Sequence, residues 1–106
     1  PQFNPQELMQ RRQRRYRLVR IQDLEIPIQS LMASEIEEFY SNNCDGKLFQ
    51  LSVVDDNRNR AYTEADIPAL NEMDGAVAVP LRVAIQDHCG MNINLEDILK
   101  NSEPIT

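Results

Sequence analysis

Tryptophan is absent from this 106-residue sequence, histidine occurs once, glycine three times and cysteine twice. Each scarcity excludes something. One histidine, His88, and two separated cysteines, Cys44 and Cys89, cannot readily supply the four ligands of a structural zinc site. Nor do two cysteines make a disulfide framework; bare thiols suit a reducing cytoplasm, the expected location. No apolar run approaches the ~18–20 residues of a membrane span, and no charged-then-apolar leader opens the sequence. No membrane partner is therefore expected. Long polar tracts are also missing, and with 42% apolar residues the composition is that of a folded chain. A chain of this size suits one domain and buries roughly 60–70% of its unfolded surface without staples.

Charge is present but unevenly spread. Residues 1–20 hold six arginines against Glu7, a balance of +5, while the other 86 residues carry 5 basic and 16 acidic groups, a balance of −11. This describes a basic arm on an acidic body. The arm can meet a partner, or pair with an acidic face of its own or a neighbouring subunit. The body itself is a poor match for nucleic acid.

Asn4-Pro5 reads as a capped helix start, with the helix running to about Arg14. Arg15 to Ile21 and Leu24 to Ser30 alternate as strands, and Gln22-Asp23 is the turn of a hairpin. Pro27 cannot donate to a ladder, which assigns the second strand to an edge, and so small a hairpin must lie on something. Residues 33–42 form a helix with Glu35, Glu37 and Glu38 early in it, as the helix dipole favours, and solvated. Ile36, Phe39 and Tyr40 form its core-facing stripe. Residues 42–46 are a loop by composition. Residues 47–54 are an apolar run whose period does not separate a buried helix from a strand, with helix the preferred reading; 55–60 is a polar turn, and Thr63 with Asp66 a capping box opening a short helix through Ile67, Leu70 and Met73. Asp74 caps a longer helix, roughly 75–89, whose inner face is Val77, Leu81, Ala84, Ile85 and His88. A kink is expected at Pro80, and Gly90 ends the helix. A last turn over 95–100 and a frayed tail, 101–106, follow. The fold class is α+β: a small, mostly helical domain with an N-terminal two-stranded hairpin. Its organisation is an arm at 1–14, a compact domain at 15–100 and the tail.

The candidate chemistry is sparse. Asp55, Asn57, Asn59 and Asp66 match calcium-loop spacing, but Arg60 stands where such a loop needs glycine, and its charge repels the ion. His88 and Cys89 are adjacent on a helix, so they point about 100° apart and do not form a nucleophile–base pair. The glutamates of the 33–42 helix lack the opposed, cleft-facing arrangement of paired catalytic acids. Neither catalytic residues nor metal ligands are assigned, and no cofactor is expected. What remains are surfaces. Arg11, Arg12, Arg14, Arg15, Tyr16 and Arg17 form one candidate contact, suited to an acidic protein partner or, alternatively, to phosphate and a stacked base. Phe39, Tyr40, Phe49 and Tyr62 are candidate anchors where exposed, because aromatics dominate interface energies. The competing assignment for Phe39 and Phe49 is the core.

Taken in order, residues 17–91 resemble the tail assembly chaperones of long-tailed bacteriophages and prophages. The resemblance rests on a strand pair, then Leu31-Met32-Ala33-Ser34-Glu35 at a helix start. An apolar run then leads into the turn from Asp55 to Tyr62-Thr63, followed by Glu64-Ala65-Asp66-Ile67-Pro68-Ala69-Leu70 and a last helix ending near Gly90. It covers about three-quarters of the chain. The chain departs from the usual pattern at Met32, where Ser or Thr often caps, at Asn57 and Arg58, where glycine is usual, and at Pro80. The resemblance implies a non-enzymatic protein that coats the tape-measure protein and helps bring tail-tube subunits to it, with weak self-association. The alternatives are a small nucleic-acid-binding regulator using the arginine-rich arm, and an adaptor subunit of a cellular complex.

Overall fold

The computed structural model describes residues 3–91. The elements are α1 (Pro5–Met9), β1 (Tyr16–Ile21), β2 (Leu24–Gln29), α2 (Ala33–Asn42), α3 (Asp45–Ser52), a 3-10 turn (Glu64–Asp66), α4 (Ile67–Asn71) and α5 (Gly75–His88). The expected α+β class is what forms: a two-stranded antiparallel hairpin followed by a helical body. The expected turn at 95–100 and the tail lie outside the described residues.

The hairpin pairs Tyr16 with Gln29 at one end and Ile21 with Leu24 at the other. Gln22 takes a φ of 55°, which lets the chain reverse over Gln22-Asp23. Opposed residues share a face, so Val19 with Ile26 and Ile21 with Leu24 point one way, while Leu18 with Pro27 point the other. Val19, Ile21 and Ile28 are buried, and α5 packs on β1. Support for the hairpin therefore comes from α5 and the body it caps. Beyond β2, Val53 bridges Ile28, and the Val54 N–H donates to the Pro27 carbonyl at 3.0 Å. Proline's missing donor is no obstacle there, because the contact uses only its oxygen.

α3 is the hub. Every residue from Gly46 to Ser52 is buried, and the helix packs against α2, α4, α5 and the 3-10 turn. A helix apolar on several sides is one that the rest of the domain surrounds. Leu48, Phe49 and Leu51 are fully buried and meet Ile28 of β2, Leu70 of α4 and Leu81 and Ile85 of α5 in one core. Gly46, expected in a loop, instead lies in the first turn of α3. A Cβ there would sit 2.5 Å from the Ile67 carbonyl oxygen and 2.6 Å from Asn71 Oδ1. The glycine lets α3 and α4 approach closely.

Two further expectations change. The first helix stops at Met9 rather than near Arg14, for it buries no residue and has nothing to extend against. On α2 the inner stripe is Glu35, Ile36 and Phe39, and Tyr40 is 60% exposed. One residue of helix is a 100° turn, which carries Tyr40 past the edge of the stripe. α5 runs continuously through Pro80. The capping expectations hold: Asp74 accepts from the Ala76 N–H, Asp66 accepts from the Thr63 N–H, and Gly90 sits at φ 73°. At that end Gly90 N–H bonds Asp87 O and Met91 N–H bonds Gln86 O, the paired bonds of a Schellman cap.

Candidate functional site

The arginine-rich stretch is largely stitched to its own domain. Arg14 makes a bidentate pair with Glu35 at 2.7 and 3.0 Å, and one nitrogen also donates to the Ser30 carbonyl. Arg60 reaches the same carboxylate from the 55–60 turn. Glu35, whose side chain is only 9% exposed, also accepts from the Met32 N–H at 2.8 Å. Met32 has no oxygen with which to cap α2, so Glu35 supplies one half of a capping box by itself. The carboxylate thus joins the basic segment, the start of α2 and the 55–60 turn. It is not the solvated group expected from the sequence.

Arg15 is held twice. Its N–H donates to Ser30 Oγ, and its guanidinium donates to the His88 carbonyl at 2.7 Å. In return His88 Nε2–H donates to the Arg15 carbonyl at 3.0 Å. The histidine therefore pins the end of α5 to the entry of β1. Arg17 faces Asp87 and Arg20 faces Glu25. Of the candidate arginines, Arg14, Arg15 and Arg17 are engaged within the domain. Arg11 and Arg12 stay exposed, with Arg12 Nε bonded only to the Met9 carbonyl.

Burial pushes the Glu35 carboxyl up, but the Arg14 and Met32 hydrogen bonds and the arginine charges outweigh it, leaving the group below the usual carboxylate range. The bond to Glu35 raises Arg14 in turn. A second buried charge follows the same logic: Lys47, 3% exposed on α3, lies 2.6 Å from Glu38 and 3.5 Å from Glu64. The Glu38 bond raises it above the usual lysine value against burial. Burial raises the Cys89 thiol, which disfavours the reactive thiolate. In the 55–60 turn, Asp55 Oδ1 is occupied by the Asn57 and Asn59 N–H groups, and Arg58 takes a left-handed φ of 65°. Glycine would occupy that backbone region without strain.

The aromatic candidates divide. Phe39 and Phe49 are buried in the core and correct the anchor assignment, since neither presents area to a partner. Tyr40 and Tyr62 are exposed, as is Tyr16, whose ring lies 4.4 Å beneath the Arg58 guanidinium. Sequence reasoning missed seven further exposed apolar side chains among the described residues: Phe3, Leu8 and Met9 around α1, Leu18 and Leu24 on the hairpin, and Val79 and Val83 on α5. The signal for Leu18 was available in the strand alternation, which places it opposite Val19 and Ile21.

Two depressions adjoin these residues. The larger, about 670 Å³, lies between the 10–15 segment and the start of α2, with Arg11, Arg14, Arg15 and Ser30 in its walls. Glu35 already neutralises Arg14 there. The smaller, about 260 Å³, runs over the outer face of the hairpin, where Tyr16, Arg17, Leu18, Pro27 and Val54 meet Asp55, Asp56 and Arg58. Among the described residues no group of three or more His, Cys, Asp or Glu is placed to hold a metal, and no helix is long and apolar enough to cross a membrane. Comparison with family models, curated proteins and solved structures finds no match.

Proposed function

We propose that the chain is a non-enzymatic tail assembly chaperone of a long-tailed bacteriophage or prophage, working in the host cytoplasm. On this reading it binds the tape-measure protein through apolar contacts and recruits tail-tube subunits. The observation that supports the reading most is the set of large apolar groups left in solvent. Phe3 is 71% exposed, Leu8 65%, Tyr40 60% and Leu18 59%, on a domain whose core is already filled by Phe39, Phe49 and the aliphatic residues around them. Large apolar groups left in solvent are contacts that such a protein can offer to another. The resemblance across residues 17–91 supplies the identity of the client. The pairing of Arg14, Arg17 and Arg20 with carboxylates weighs against the nucleic-acid reading, since it engages three of the six arginines of residues 1–20 that phosphate would need. Co-expression with a candidate tape-measure protein tests the proposal. Recovery of that protein in the soluble fraction, bound to this chain and stable to moderate salt, is the expected result. An unchanged insoluble fraction contradicts it.

A further inference from the structure

We propose that the outer edge of β1 takes up an extended, carboxylate-bearing segment of another protein as an added strand. The hairpin has two edges, and only one is covered. On the β2 side the Val54 N–H donates to the Pro27 carbonyl at 3.0 Å and Val53 bridges Ile28, so residues 53–54 close that edge. On the β1 side the bonding phase follows from one contact. Ser30 N–H donates to the Arg15 carbonyl at 2.8 Å, and bonded pairs recur at every second position of an antiparallel ladder. Arg17, Val19 and Ile21 therefore bond inward, to Ile28, Ile26 and Leu24. The N–H and C=O groups of Tyr16, Leu18 and Arg20 point outward, just as the carbonyl of Pro27, opposite Leu18, points outward on the other edge. None of these six groups has a backbone partner among the described residues. All three residues are exposed, Leu18 at 59%, so the edge is open to solvent.

A row of alternating backbone donors and acceptors is completed by an extended polypeptide. Side chains decide which polypeptide. In an added strand, the residues opposite Tyr16, Leu18 and Arg20 share their face of the sheet, and the residue opposite Arg17 lies on the other. Tyr16 and Leu18 suit apolar neighbours, whereas Arg17 and Arg20 suit carboxylates. β1 itself carries two arginines and no acidic residue. Arg17 now faces Asp87 and Arg20 faces Glu25, and all four side chains are at least half exposed. Exposed pairs of this kind contribute little, so a carboxylate arriving on the added strand exchanges with them or joins them. The same charges disfavour a second copy. Two β1 strands paired about Leu18 would set four arginines along one seam with no carboxylate between them. The inference stands apart from the chaperone reading, because the edge is defined by the hairpin alone.

The test follows backbone amide exchange by NMR in the full chain. Without ligand, the Tyr16, Leu18 and Arg20 amides should exchange freely while those of Arg17, Val19 and Ile21 are protected. Protection of the first set in the free chain overturns the proposal, because the edge is then already occupied. The probe is a capped synthetic peptide with the core Glu-Thr-Val-Glu-Val, which sets its residues antiparallel against Arg20, Val19, Leu18, Arg17 and Tyr16 in that order. It should bind with a dissociation constant on the order of 100 µM and protect the outward amides. N-methylation of both valines removes donors that face β1 and should weaken binding at least about tenfold. N-methylation of the threonine and the second glutamate, whose N–H groups face away, should leave binding within about twofold. Lysine in place of both glutamates should weaken it about tenfold. In the protein, Leu18→Pro removes an outward N–H and no hairpin bond, and should abolish binding, while Leu18→Ala keeps that N–H and should retain it. If Leu18→Pro does not fold, the two methylated peptides decide on wild type alone. No binding at millimolar peptide, or equal binding of both methylated peptides, overturns the proposal and leaves the arginines as guards against edge pairing.

Discussion

Glu35→Ala is the substitution that tests the electrostatic architecture most severely. Glu35 lies under the surface and receives Arg14 bidentately, Arg60 from the 55–60 turn, and the Met32 N–H. Removing the carboxylate uncaps α2, at about 1 kcal/mol. It also strands Arg14, whose side chain is 27% exposed, and Arg60, at 40%. Charge-assisted hydrogen bonds contribute about 1.5–3 kcal/mol, and breaking a fully buried pair costs about 3–5 kcal/mol. Partial exposure of both arginines lets water take up much of the loss, which places the total at roughly 2–4 kcal/mol. Against a domain stability of about 5–15 kcal/mol this is a large fraction. Urea denaturation should show it as a lower midpoint with an unchanged slope. Glu35→Gln keeps an acceptor for Met32 and should cost less. A double-mutant cycle between Glu35→Gln and Arg14→Met should return a coupling of about 1–3 kcal/mol. A Glu35→Ala protein within about 0.5 kcal/mol of wild type, with no coupling to Arg14, would refute the reasoning.

Other outcomes follow from single features. Gly46→Ala should destabilise by about 1–3 kcal/mol in the same urea assay, because its Cβ meets the Ile67 carbonyl of α4 at 2.5 Å and backbone cannot easily yield. Ser52 Oγ is buried without a hydrogen-bond partner among the described residues, so Ser52→Ala should be neutral or stabilising by up to about 1 kcal/mol in thermal unfolding. The Glu35 carboxyl is depressed from its ordinary value of 4.5, so its stabilisation is complete above that pH and is lost as pH falls through the folded-state value. The urea midpoint of Glu35→Gln should consequently fall less than that of wild type between neutral and acid pH. Lys47 is raised above 10.5, so its contribution is complete below that pH and disappears only as pH rises through the higher folded value; Lys47→Met should flatten the alkaline limb of the stability profile.

Local signals carried most of the fold. The Asn4, Thr63–Asp66, Asp74 and Gly90 punctuation marked element ends because capping is settled by groups within a few residues of one another. Strand alternation likewise set the hairpin and its turn. What escaped the sequence depended on contacts between distant segments. Glu35 reads as one of several helix-dipole acids until Arg14 and Arg60 arrive from 21 and 25 residues away. Gly46 reads as a loop residue until α4 closes over it. The arginine stretch reads as a free arm, whereas Ser30, Glu35 and His88 fix its second half. Of the surface candidates, Tyr40 and Tyr62 remain exposed, while Phe39 and Phe49 belong to the core. A helical stripe two or three residues wide cannot say which aromatic lies at its edge.

The most direct test of the chaperone account measures the soluble fraction of a tape-measure segment co-expressed with this chain and with its Tyr40→Ala/Tyr62→Ala variant. Both side chains are exposed, so the variant should fold as wild type does. The account predicts that wild type brings the segment into solution as a co-purifying complex and that the variant does so markedly less well. A segment that stays insoluble with wild type, or is rescued no better than by an unrelated acidic domain, contradicts it.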